Sequence, residues 1–148
     1  MLKLNSYIAR LRGLVGNRRV APRYATHLEK SLVVYVHLLD GREGEDSPRR
    51  AAKIVGYTRD VSETGLGIVV PEIRLGGVTI VNPNRTLRIL VGIPHEPVEM
   101  QCAPARYVRL EDEGLDAGYL VGVQIISMSK EDRARYTSYL KTFIVEGI

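Results

Sequence analysis

The chain has 148 residues, 45% hydrophobic and 26% charged, with a net charge of +4. That length suits one domain around a single core, and that balance excludes an intrinsically disordered chain. No apolar run approaches the ~20 residues that cross a bilayer, and a lone cysteine, Cys102, excludes an internal disulfide framework or a cysteine-rich metal site.

Residues 1 to 23 carry Lys3, Arg10, Arg12, Arg18, Arg19 and Arg23 and no acidic residue, whereas the remainder holds 15 basic against 17 acidic residues. A short basic arm on a near-neutral body suits a small anionic ligand, an anionic lipid or a protein surface better than a nucleic-acid groove. Within residues 3 to 15, Leu4, Ile8, Leu11 and Val15 recur at roughly helical spacing, which predicts a short amphipathic helix ending at Gly16-Asn17. The charges Lys3, Arg10 and Arg12 among these apolar residues fit neither a signal peptide nor a membrane span, so a cytoplasmic location is expected. Residues 1–16 are therefore set apart from a domain over 17–148. The stretch Asn17 to Arg23 has no periodicity and contains Pro22, and reads as a loop or extended linker.

Strand signals follow. Leu28–Leu39, Ala51–Arg59, Leu66–Val70, Leu87–Ile93, Met100–Leu110 and Tyr119–Ser127 are rich in Val, Leu, Ile and Tyr. Between them lie the polar turn of residues 41–50, a turn at Asp60–Gly65, the run Pro94-His95-Glu96-Pro97, and residues 111–118. Six short strands at this spacing predict an antiparallel barrel or sandwich. Cys102 falls within a predicted strand, as a buried, inert thiol. Ser129 followed by Asp132 resembles a capping box and starts a C-terminal helix whose Tyr136, Leu140, Phe143 and Ile144 form a docking face.

Two clusters carry chemistry. In Asn17-Arg18-Arg19-Val20-Ala21-Pro22-Arg23, three guanidiniums lie within six residues. Guanidinium forms paired hydrogen bonds to phosphate oxygens and to the O6/N7 edge of guanine, and stacks on purine faces. In Asp60-Val61-Ser62-Glu63-Thr64-Gly65, a carboxylate suits the N1–H and N2–H₂ edge of guanine, a hydroxyl suits phosphate or base, and glycine permits close approach. Alone, each cluster has a plainer account: a solvated basic arm, and an Asx-type turn finished by glycine.

Taken together, Arg19-x-x-x-Arg23 followed by Asp60-x-Ser62-x-x-Gly65 resembles the paired signature of the PilZ domain family, and Tyr119–Ile126 resembles its late strand. The likeness covers about residues 17 to 146. It implies an all-β, six-stranded antiparallel barrel with a short N-terminal helix and a C-terminal helix. It also implies a non-catalytic bacterial module that binds cyclic di-GMP and signals to a downstream protein partner, with no other cofactor. By that resemblance Arg19 and Arg23 hold phosphates and guanine edges from a flexible arm, Asp60 and Ser62 hold the other guanine, and Gly65 leaves room for it. Arg18, immediately before the motif, offers a further guanidinium and is expected to engage a second, stacked ligand molecule.

Other signals point elsewhere only weakly. His27, His37 and His95 lack metal-ligand spacing, no nucleophile elbow or phosphate loop is present, and Gly76-Gly77 reads as a turn. Arg106 and Arg109 extend the binding surface or decorate a surface strand. Two other functions stay open: a barrel binding RNA or single-stranded DNA, disfavoured by the absence of Trp and a single Phe, and an adaptor of the same fold that binds no nucleotide. A flavin-binding split barrel matches the strand count but not the arginine motif.

Overall fold

The computed structural model of the chain describes residues 23–26, 31–39, 52–82, 84–110 and 118–145. The helix expected over residues 3–15, together with Arg18 and Arg19, lies outside them. The described elements are β1 (Arg23–Ala25), β2 (Val33–Leu38), β3 (Ile54–Ser62), β4 (Gly65–Val70), β5 (Arg74–Leu75), β6 (Val78–Thr79), β7 (Leu87–Val91), β8 (Val98–Leu110), β9 (Gly118–Met128) and α1 (Lys130–Val145).

Six strands pair antiparallel in the order β3-β2-β7-β8-β9-β4, and β4 returns to β3 to close the barrel predicted from the strand spacing. β3 serves two neighbours on one edge. Its first half pairs with β2, from Val33↔Tyr57 to Val36↔Ile54, and its last three residues pair with β1, from Arg23↔Ser62 to Ala25↔Asp60. β1 thus continues the line of β2, and was not expected from sequence. Neither was the small β5–β6 ladder, although its two-residue connection is the Gly76-Gly77 turn, with φ of 61° and 80°.

Alternation fills the interior with Val34, Val36, Val61, Leu66, Ile68, Leu87, Ile89 and Val121, all fully buried. Each such side chain contributes about 1.5–3 kcal/mol. On the opposite face of β4 and β9, Val69 and Leu120 join Leu110 in a second, smaller apolar cluster with Tyr57 and Val108.

The C-terminal helix starts where expected, with the Ser129 hydroxyl accepting the N–H of Asp132 at 3.1 Å. The reciprocal half of the box takes another form: the Asp132 carboxylate accepts the Glu99 N–H at 3.0 Å and a guanidinium hydrogen bond from Arg135. Tyr136, Leu140 and Phe143 are buried in the same apolar cluster as the barrel interior. The expected fourth member, Ile144, has its side chain outside the described residues. Three buried side chains outweigh the ~1 kcal/mol of a cap, so docking holds this helix.

Candidate functional site

The expected turn at Asp60–Gly65 shrinks to Glu63 and Thr64, because β3 runs through Ser62. Its physical reason is β1, which offers Asp60–Ser62 a ladder partner and satisfies their backbone groups in strand form. The same pairing corrects the expectation for Arg23. It sits in a strand, opposite Ser62, and not in a flexible arm.

A bulge then aims the carboxylate. Thr58 pairs with Ile68 and Asp60 with Gly67, which leaves Arg59 as an extra residue. Directly opposed residues project to one face of an antiparallel pair. Without the extra residue Asp60 would oppose inward-facing Leu66; with it, Asp60 projects outward over Gly67.

On that outer face Arg23 Nη1 donates to Asp60 Oδ1 at 2.6 Å, with side chains only 11% and 4% exposed. Glycines make the bed for this pair. A Cβ on Gly67 would come within 2.5 Å of Asp60 Oδ1, and one on Gly65 within 3.2 Å of Arg23 Nη2 and 2.5 Å of the Val123 carbonyl oxygen. Arg23 Nε is buried and has no acceptor among the described residues. A buried donor left unpaired costs about 1–3 kcal/mol, which an incoming acceptor would recover.

Ser62 is fully buried, and its hydroxyl is spent inside the turn. It accepts the N–H groups of Thr64 and Gly65 at 3.2 and 3.1 Å and donates to the Gly65 carbonyl at 3.2 Å. The turn account given by the sequence is therefore what Ser62 does here.

Helix α1 holds both strands of the site. Tyr136 donates its phenolic hydrogen to the Ser62 carbonyl at 2.7 Å, and Arg133 Nη1 donates to the Glu63 carbonyl at 3.2 Å. Burial raises the Tyr136 phenol well above the usual tyrosine range, so it remains a neutral donor. Tyr24 of β1 stacks on Phe143 with centroids 5.2 Å apart and planes 9° from parallel, a contact of about 0.5–1.5 kcal/mol beyond its burial.

The structure thus brings Arg23, Asp60, Ser62 and Gly65 together; Arg18 and Arg19 lie outside the described residues. Sequence reasoning passed over Gly67, for which a glycine inside a strand was the available signal. It also passed over Arg59, whose guanidinium lies 5.3 Å from the Tyr57 ring centroid. Away from the site, burial pushes the Cys102 thiol up to about 12, which leaves it inert at neutral pH as expected. The described residues hold no cluster of potential metal ligands, and no described helix is long and apolar enough to cross a membrane.

A family model for the PilZ domain matches residues 17–142. The chain belongs to the PilZ domain family. Among solved structures, the PilZ domain of YcgR from Escherichia coli with c-di-GMP superposes with a TM-score of 0.61 at 10% identity, over 87% of this chain and 93% of that one. MrkH, a c-di-GMP-dependent transcription regulatory factor, gives 0.60 at 14% identity over 88% of this chain. The Bacillus subtilis inhibitor of motility, MotI or DgrA, gives 0.58 at 15% identity, also over 88%. The chain spans about half the length of the last two, 52% and 53%. At these identities the likeness is one of fold. Comparison with curated proteins by sequence finds no match.

Proposed function

We propose that this PilZ chain is a receptor for cyclic di-GMP that passes the signal to a protein partner and catalyses no reaction. The observation that carries this reading is the Arg23–Asp60 pair on its bed of Gly65 and Gly67, with Arg23 Nε buried and lacking an acceptor among the described residues. A guanidinium with an unused donor suits phosphate or a purine edge, and the carboxylate has lone pairs beyond the one Arg23 takes. Membership of the family, and the c-di-GMP held by the YcgR domain, support the choice of ligand.

In this reading Arg19 and Arg23 hold phosphates and a guanine edge, Asp60 holds the N1–H and N2–H₂ edge, and Gly65 lets the base approach. Ser62 acts by fixing the turn. Arg18 takes a second, stacked ligand. Residues 1–16 form a separate segment whose placement changes as the arginine-rich arm orders around the ligand.

One observation favours the alternative of an adaptor without nucleotide: Asp60 is nearly buried and already paired. Isothermal titration of the whole chain with cyclic di-GMP, GTP and cyclic di-AMP separates the two. Saturable binding selective for cyclic di-GMP and lost in Arg19→Ala supports the receptor, and two ligands per chain support the role of Arg18. Folded protein that binds none of the three supports the adaptor.

A further inference from the structure

The register of the sheet lines up four residues across four strands. Asp60 on β3 pairs with Gly67 on β4, Gly67 with Gly122 on β9, and Gly122 with Arg106 on β8. Directly opposed residues share a face, so all four lie on the outer surface, and the two middle ones are glycine. The result is a trough in which the Asp60 carboxylate lies over Gly67, half-buried Gly122 follows without a side chain of its own, and the exposed Arg106 stands at the far end. Three strand spacings separate the Cα atoms of Asp60 and Arg106 by about 14 Å.

The placement of Arg106 depends on a local device. Pro104 pairs with Val123 and Arg106 with Gly122, so a bulge leaves Ala105 as the extra residue. An unbroken ladder would set Ala105 opposite Gly122, and the trough would end in a methyl group.

Resting on the receptor reading above, we propose that Arg106 is a specificity-determining residue that reads the O6/N7 edge of the guanine whose N1–H and N2–H₂ edge faces Asp60. Guanine carries donors on one edge and acceptors on the other. A carboxylate and a guanidinium at opposite ends of the trough match that polarity. Adenine presents an N6 amino donor where guanine presents O6, and so sets a donor against the guanidinium. The trough therefore selects guanine at both ends, and Arg106 supplies half of the choice.

The test titrates the whole chain with cyclic di-GMP and cyclic di-AMP, using wild type, Arg106→Ala, Arg106→Lys and Arg109→Ala, each with its melting curve. Arg109 is exposed on the same strand but pairs with Tyr119, so its loss removes a charge without touching the trough. Arg106→Ala is expected to weaken cyclic di-GMP about 10- to 100-fold while cyclic di-AMP changes little, which narrows the preference. Arg106→Lys keeps the charge and loses the fork, so it is expected to leave the preference narrowed, with Arg109→Ala unchanged. Equal weakening of both ligands, or cyclic di-GMP binding within twofold of wild type in Arg106→Ala, overturns the proposal and leaves the receptor standing. Folded wild type that binds no cyclic di-GMP overturns both.

Discussion

The phenolic oxygen of Tyr136 lies 2.7 Å from the main-chain carbonyl of Ser62, joining the middle of α1 to the last residue of β3. On the same helix Phe143 stacks against Tyr24, next to Arg23 in β1. One helix therefore touches the strand that carries the carboxylate and the strand that carries the guanidinium. A ligand that shifts either strand acts directly on α1.

Tyr136→Phe keeps the buried ring and leaves the Ser62 carbonyl without this donor. It is expected to cost about 1–3 kcal/mol, seen in urea as a lower midpoint at unchanged slope. An unchanged midpoint would mean that packing alone seats the helix.

The two glycines of the site are expected to respond differently to alanine. At Gly65 the new methyl meets the Val123 carbonyl, 2.5 Å away on a paired strand; at Gly67 it meets only the tip of the Asp60 side chain, also at 2.5 Å. Gly65→Ala is expected to cost about 1–3 kcal/mol through backbone displacement. Gly67→Ala is expected to stay folded with a smaller loss but to displace the carboxylate and abolish cyclic di-GMP binding. Thermal melts with matched titrations check this order, and a Gly67→Ala variant that binds as wild type contradicts it.

Removing one partner of the Arg23–Asp60 pair leaves a nearly buried charge behind. Arg23→Ala or Asp60→Ala alone is expected to destabilise by up to about 3–5 kcal/mol. The double replacement is expected to cost less than the two losses combined, with coupling of about 0.5–3 kcal/mol in a double-mutant cycle. Strict additivity would show that the pair adds nothing to the fold.

His37 on β2 predicts a pH effect. Burial first, then the neighbouring charges of Arg88 and Lys53, lower its pKa below the ordinary 6.5, while Glu99 and the Ala52 backbone oppose them. A base with a depressed folded pKa binds fewer protons folded than unfolded, so its contribution is present above pH 6.5 and is lost as pH falls through the folded value. His37→Gln is expected to lose less stability than wild type on going from neutral pH into that window. Denaturation midpoints at several pH values report the difference, and parallel curves would exclude it.

Six strands and the final helix were legible because their Val, Leu and Ile runs bury one face, a property of local sequence. β1 was not. Arg23–Ala25 is too short to show a period, and it is a strand only because β3 lies beside it. Asp60-x-Ser62 looked like turn chemistry because the outward positions of a strand end carry the same polar residues as a turn. The identities of Arg23, Asp60 and Gly65 were visible, but which face they share follows from a bulge at Arg59, and the place of Arg106 follows from one at Ala105. A bulge changes register without changing composition, so only the pairing reveals it.

The division of β3 also bears on how such a protein diverges. Its first half pairs with β2 and its last three residues pair with β1, with Arg59 inserted at the junction. Beyond that junction Val61 still faces the interior, whereas a substitution at Asp60 falls on a face that the interior does not use. A lineage can therefore change the chemistry of that outer face while the barrel is inherited intact.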